Sequence, residues 1–204
     1  MPAHDDVAAL LGAGAARIVV GITGPPGAGK TTLARSVVDD FTSTLGPDAV
    51  GYVPMDGYHL SNAILDRLGR RDRKGAPDTF DVAGFVATLR RIADGCDTVY
   101  APDFDHATGE PIAASLTVPA TARLVVVEGN YLGLDQPGWR DVCPLLDRLI
   151  YVDADDATRR ERLLRRHIEA GKSEAEARAW IATVDAPNAE LIATTRSRAD
   201  TIIA

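Results

Sequence analysis

The chain has 204 residues, 46% hydrophobic and 25% charged, which fits one ordinary globular domain with its own core and would leave two domains cramped. A formal net charge of −7 argues against general affinity for nucleic acid or an anionic membrane. No stretch approaches the ~20 apolar residues of a membrane helix, and the two cysteines, Cys96 and Cys143, have no metal-ligand spacing and fit a reducing compartment. The opening Met1-Pro2-Ala3-His4-Asp5-Asp6 is too acidic for a secretory leader, so a cytoplasmic location is expected.

In chain order, residues 1–16 are Ala- and Gly-rich and read as a short helix. Arg17 to Thr23 is a β-branched run that enters a Gly/Pro loop, and a helix is expected from about Lys30 to Leu45. Ala49 to Met55 reads as a second strand, ended by Asp56-Gly57. Residues 57–80, rich in charge, Gly and Pro, form an excursion before helical spacing returns from Asp81 to Ala93. Arg123 to Val127 is nearly all apolar, as in a strand covered on both faces, and Glu128-Gly129 ends it. Leu149 to Val152 is another strand, ended by Asp153, a candidate cap for the next helix.

That helix, Asp156 to Ala170, places Ala157, Leu164 and Ile168 on one face. Ser173-Glu174-Ala175-Glu176 matches a capping box and starts a further helix, with an interruption expected near Pro187 and a last strand at Thr201 to Ile203. His4 and His167 are expected at the surface, and Trp139 and Trp180 in packing roles. Strands alternating with helices imply right-handed βαβ units and a parallel sheet. Three strands end in an acid, at Asp56, Glu128 and Asp153, where open α/β sheets bind ligands.

Gly24-Pro25-Pro26-Gly27-Ala28-Gly29-Lys30-Thr31 fits G-x-x-x-x-G-K-[ST] without a mismatch, between a strand and a helix. Glycines let successive amides turn toward phosphate oxygens, and the helix adds its positive end. Gly24, Pro26, Gly27, Ala28, Gly29, Lys30, Thr31 and Thr32 are the nucleotide-binding candidates. Lys30 would reach the β- and γ-phosphates, and the Thr31 hydroxyl would ligate Mg²⁺. A P-loop alone leaves two classes open, a small-molecule kinase and a regulatory ATPase without an acceptor. No N-K-x-D motif of GTPases occurs. Asp56, at the end of the strand after the loop helix, can face the γ-phosphate from the acceptor side and take the acceptor proton.

Basic residues gather in two clusters, Arg67, Arg70, Arg71, Arg73 and Lys74, and Arg159, Arg160, Arg162, Arg165 and Arg166. On a helix, Arg162 lies beside both Arg165 and Arg166, and guanidinium forks suit phosphate oxygens.

The segments GPPGAGKTT, PMDGYHL, RKGAPDTFD, YAPDFDHATGEP, VVVEGNYL and RRERLLRRHIEAGKS together resemble the P-loop kinase group that contains uridine kinase, phosphoribulokinase and bacterial pantothenate kinase. Within that group the chain is most similar to bacterial nucleoside/nucleotide kinase-like, or fructose transport system kinase-like, proteins. The resemblance runs from about residue 17 to the C-terminus. It implies a three-layer α/β P-loop NTPase fold spanning 1–204 as one domain, with a mostly parallel five-stranded sheet in the order 2-3-1-4-5. Helices would cover both faces, and an Arg-rich lid would lie at about 159–174.

It also implies ATP and Mg²⁺ as cofactors and, at family level, a homodimer. Asp56 would be the catalytic base, Glu128 would sit near the metal with Thr31, and Lys30, Arg162 and Arg166 would stabilise charge. Arg165 would contact the nucleotide. Lys74, in a stretch similar to K-G-x-P-x-S/T-x-D of pantothenate kinase, would line the acceptor pocket; from their own positions, Tyr58, Asn130 and Tyr131 border the acids and are candidates to line it, and His59 and His106 are candidates to hydrogen-bond the acceptor hydroxyl. Asp105 and His106 fall where uridine kinase holds its nucleoside, although the aromatic and His spacing differ. The expected reaction is phosphorylation of a hydroxyl on a nucleoside, a sugar or a pantothenate-like acceptor.

Overall fold

Alternation within the apolar runs builds the frame. The computed structural model describes residues 2–204, so Met1 of the expected leading helix lies outside the described residues. The chain opens with α1 (Pro2–Gly12) and β1 (Ile18–Thr23), followed by α2 (Lys30–Leu45), β2 (Val50–Pro54), α3 (Asn62–Leu68) and α4 (Val82–Asp94). A hairpin of β3 (Val99–Asp105) and β4 (Glu110–Val118) precedes β5 (Leu124–Glu128) and β6 (Arg148–Val152). Then come α5 (Asp156–Glu169), α6 (Glu174–Trp180), one π-helical turn (Ile181–Asp185), α7 (Ala186–Ala193) and β7 (Thr201–Ile203).

Five strands form one sheet in the order β2-β5-β1-β6-β7. Counting only the strands of that sheet, this is the expected 2-3-1-4-5, and every neighbouring pair is parallel. Every residue of β1 and β5 is buried, as central strands covered on both faces require. Successive side chains point to opposite faces. Val19, Val125 and Val127 therefore join one core with Phe85, Leu89 and Ile92 of α4. Ile18, Val20, Ile22, Leu124 and Val126 join the other with Val7 of α1 and Ala34 and Val37 of α2. On α4, Phe85, Val86, Leu89 and Ile92 recur at helical spacing to form its buried stripe, and the Asp81 carboxylate caps it by accepting from the Gly84 amide at 2.9 Å.

The hairpin of β3 and β4 is an element that sequence patterning does not announce. Its ladder shifts register between Ala101 and Asp103, around Pro102, which has no amide to donate. Much of β4 is exposed, so it lacks the alternation of a half-buried strand.

Several local expectations are corrected. On α5 the inward residues are Leu163 and His167, and Ile168 is exposed, because the helix meets the body of the protein one position earlier than its apolar residues suggest. His167 is consequently buried rather than at the surface. The α5 cap is Asp155, whose carboxylate accepts from the Thr158 amide at 2.8 Å, while Asp153 pairs with Arg196 at 2.9 Å. The capping box at Ser173 and Glu176 forms as expected. The interruption expected near Pro187 is a π turn, Ile181–Asp185, inside a path that stays helical. Ahead of Pro187 this turn shifts the ladder so that the Ala186 amide donates to the Ile181 carbonyl, which fits a residue that cannot donate to a carbonyl four positions back.

Candidate active site

The register of the sheet assembles the site. Glu128 ends β5 between Ile22 of β1 and Pro54 of β2. The chain that follows β1 is the Gly-rich loop, and Asp56 lies two residues beyond Pro54. Loop, Glu128 and Asp56 therefore share the carboxyl edge of the sheet.

The loop from Gly24 turns into α2 at Gly29, whose φ of 105° is left-handed. Gly27 is required for a second reason. A Cβ there would lie 2.7 Å from the Arg159 carbonyl oxygen and 3.1 Å from Leu163 Cγ, so only glycine lets α5 settle on the loop. The loop's outward carbonyls are taken by cations. Lys30 Nζ donates to Pro25 O at 3.1 Å, Arg159 Nη1 to Pro26 O at 3.3 Å, and Arg162 Nη1 to Gly27 O and Ala28 O, each at 3.2 Å. In a trans peptide N–H and C=O point opposite ways, so the Gly27 and Gly29 amides face away from the arginines that hold the Pro26 and Ala28 carbonyls.

Lys30 is buried, and its pKa is lowered. Burial is the main cause, Glu128 and Asp56 oppose it, and Arg166 and Arg159 reinforce it. One ammonium thus lies within electrostatic reach of two strand-end acids and two arginines of α5. Glu128 is itself pushed up to about 7, mainly by burial and further by Asp56, with Lys30 and hydrogen bonds from Thr31 and Tyr52 acting against the rise. The Tyr52 hydroxyl lies 3.4 Å from Glu128 Oε2. The donors gathered here, the Thr31 hydroxyl and the Glu128 and Asp56 carboxylates, are all oxygen. That set suits a hard cation such as Mg²⁺, which takes one or two protein ligands and fills its shell with phosphate and water.

Asp56 projects from a tight turn, Met55–Tyr58, that presses on the hairpin. A Cβ on Gly57 would stand 2.3 Å from the Pro102 carbonyl oxygen, so glycine permits that approach. His59 Nδ1 lies 2.8 Å from the Asp56 carbonyl oxygen. The His59 ring packs between Phe80 and Phe104, at centroid distances of 4.0 and 4.7 Å. Burial in that sandwich lowers its pKa and favours the neutral imidazole. The ends of the 57–80 excursion are zipped together by Leu60 N to Thr79 O at 2.9 Å and Asp81 N to Tyr58 O at 2.8 Å.

Lys74 donates to Asn62 Oδ1 at 2.7 Å and to Gly109 O at 2.5 Å, which ties the excursion to the hairpin tip. Burial lowers its pKa, opposed by Glu110. Gly75 O accepts from the Tyr131 hydroxyl at 2.6 Å and from Asn188 Nδ2 at 3.3 Å, and Trp139 Nε1 donates to Pro77 O at 3.1 Å.

Among the residues singled out from sequence, the structure brings together Gly24, Pro26, Gly27, Ala28, Gly29, Lys30, Thr31, Asp56, Glu128 and Arg162, with Arg166 exposed and acting on Lys30 only electrostatically. Thr32 is exposed on the first turn of α2 beside Thr31. Asn130 lies next to the loop, its carbonyl accepting from Thr23 Oγ1 at 3.0 Å.

Three acceptor candidates are placed otherwise. Tyr58 is buried with its ring 4.9 Å from Phe85, facing α4 rather than an open site. Asp105 has its carboxylate engaged in the hairpin turn, by the Ala107 amide and the Thr108 hydroxyl, each at 2.8 Å. His106 sits on that turn with its ring edge-on to Phe104 at 5.2 Å. Arg165 is exposed, 4.0 Å from Glu169 on the same helix, and does not reach the loop.

Arg159 and Tyr52 were missed. Arg159, Arg162 and Arg166 follow i, i+3, i+7 spacing, which could have placed Arg159 on the loop-facing stripe. Tyr52 gave only the signal of one hydroxyl in an apolar strand.

A parallel sheet bearing a phosphate loop, two strand-end acids and an arginine helix over the loop defines a P-loop kinase. The chain belongs to the phosphoribulokinase/uridine kinase family, whose pattern matches residues 19–204. It is 37% identical over 189 residues to YggC of Escherichia coli (strain K12), covering 92% of this chain and 77% of that protein. It is 30% identical to a pantothenate kinase of Enterococcus faecalis, with 91% of this chain and 67% of the relative covered. A crystal structure from Silicibacter sp. TM1040, named for a fructose transport system kinase, superposes with a TM-score of 0.81 at 35% identity, covering 93% of this chain and 90% of that one. The chain is accordingly an ATP-dependent phosphotransferase acting on a hydroxyl group. Among the described residues, no helix is long and apolar enough to cross a membrane.

Proposed function

We propose that this protein uses ATP and Mg²⁺ to phosphorylate a hydroxyl of a small polyhydroxylated metabolite, a nucleoside, a sugar or a pantothenate-like compound. The observation that carries this reading is the convergence of Lys30, Asp56 and Glu128 beneath the arginines of α5. In the reaction the acceptor oxygen forms a bond to the γ-phosphorus, the bond to the β,γ-bridging oxygen breaks, and ADP leaves.

Asp56 orients the acceptor hydroxyl and takes its proton. Lys30 leaves the Pro25 carbonyl for phosphate oxygens, and Arg162 and Arg166 offset the charge that spreads over the transferring group. Thr31 and Glu128 would hold Mg²⁺, which would neutralise phosphate charge when bound. His59, neutral and held between two phenylalanine rings, gives the acceptor side an uncharged hydrogen-bonding edge next to Asp56.

The test is ATP consumption with Mg²⁺ against nucleosides, pantothenate, fructose and other sugars, with products identified by mass spectrometry. Stimulation by one compound together with its phosphorylated form establishes the reaction and names the acceptor. ATP binding without stimulation by any compound shifts the assignment to an ATPase without a small-molecule acceptor.

A further inference from the structure

Beyond the residues that face the reacting groups, one buried polar pair joins the two halves of the site. His167 Nε2 lies 2.7 Å from Asp185 Oδ2, and both side chains are almost fully buried, at 11% and 8% exposure. Burying such a pair costs desolvation, and a merely structural contact between two helices would be made as well by apolar groups. The placement of the pair offers a reason for it.

His167 stands one helical turn beyond Leu163, the residue that rests on Gly27, and directly follows Arg166. It therefore rides on the helix whose arginines hold the carbonyls of the phosphate loop. Asp185 closes the π turn, and one turn further along the same helical run Asn188 donates to Gly75 O. That carbonyl is also bound by the hydroxyl of Tyr131, three residues past Glu128 at the end of a central strand. Gly75 is thus held from a fixed side, the sheet, and from a second side that leads through Asn188, Asp185 and His167 to the arginine helix. Asp185 is also close enough to Tyr131 to raise its pKa.

We infer that His167 and Asp185 are positioning residues that transmit occupancy of the phosphate loop to the acceptor segment around Gly75. This rests on the kinase reading above. When phosphates draw Lys30 and the arginines inward, α5 shifts with them. The buried pair resists separation because either partner alone would be a buried polar group without a mate. The π turn and Asn188 follow α5, and the Lys74–Phe80 stretch, already bonded to Tyr131 and Trp139, is held more tightly there. Two sites linked in this way show a coupling that is the same in either direction.

Hydrogen exchange of the full chain, with and without Mg²⁺ and the non-hydrolysable analogue β,γ-imido-ATP, tests the link without needing the acceptor. In the wild type the analogue slows exchange in the phosphate loop and, by about fivefold or more, in residues 70–80. In His167→Ala the loop stays protected and the effect at 70–80 is lost. His167→Gln keeps a donor where Nε2 stood and restores it. Asp185→Leu, close to aspartate in shape but without an acceptor for the His167 N–H, gives a second reading should the alanine variant fail to fold, and it too should uncouple the two regions. Equal protection of 70–80 in wild type and both uncoupling variants overturns the inference, as does a wild type whose loop is protected without any change at 70–80. A wild-type loop that gains no protection removes the nucleotide reading itself.

Discussion

The Lys30 ammonium donates to the Pro25 carbonyl oxygen across 3.1 Å, so the lysine of the phosphate loop is held by the loop that carries it. Buried, with its pKa lowered by desolvation, it lies ready to exchange a carbonyl oxygen for a phosphate oxygen. Lys30→Ala should lower kcat/KM for any acceptor by about 10²-fold or more, the range for loss of one charge-stabilising donor. Steady-state kinetics check this, and an unchanged kcat/KM would contradict the assignment.

Asp56 sits at the sheet edge with its side chain 39% exposed, open to an incoming hydroxyl while Glu128 is buried behind it. Asp56→Asn should reduce kcat by about 10²-fold or more and leave ATP affinity nearly intact. Calorimetric titration with ATP beside turnover measurements separates the two effects. Full turnover with the correct acceptor would remove the general-base role.

The Tyr131 hydroxyl is a partner of Gly75 O at 2.6 Å, and the ring is fully buried against Phe80 and Trp139. Tyr131→Phe keeps the packing and deletes one hydrogen bond, a loss of about 1 kcal/mol in urea unfolding. Because that bond holds the segment around Gly75 and touches the loop only through the coupling proposed above, KM for the acceptor should rise by more than KM for ATP. A larger change in KM for ATP would place the effect elsewhere.

Glu128 carries a pH signature in the metal-free protein. Its pKa is about 7 in the folded chain, against an ordinary 4.5, because burial disfavours the carboxylate. Between those values the native state holds a proton that the unfolded chain has lost, so this group makes stability fall as pH rises from 4.5 toward 7 and level off above. Glu128→Gln is neutral throughout and lacks that slope. Its stability relative to wild type should therefore increase across the same window. Urea midpoints for both proteins at several pH values, with EDTA present, measure it; parallel profiles would refute the shift.

Parts of the site that lie within one continuous motif were legible in the sequence. The loop from Gly24 to Thr31, the acids closing their strands and the capping box at Ser173 are set by local geometry, which a short stretch of chain carries by itself. The hairpin of residues 99–118 was not legible, because an exposed antiparallel pair with a proline at its irregularity has little hydrophobic period to read. The inward face of α5 was misread for a related reason. Leu164 and Ile168 are apolar, yet the helix lies on the loop through Leu163 and on the π turn through His167.

The sequence by itself thus determined the strands of the parallel sheet, the phosphate loop and the acids at the strand ends. These follow from residue periodicity and from backbone needs that glycine or a capping side chain satisfies. Only the tertiary structure decided which arginines reach the loop, that Tyr58 turns into the core, and that His167 meets Asp185. Each of these depends on how one element is rotated against another far away in the chain, and that rotation is fixed by packing, not by any local run of residues.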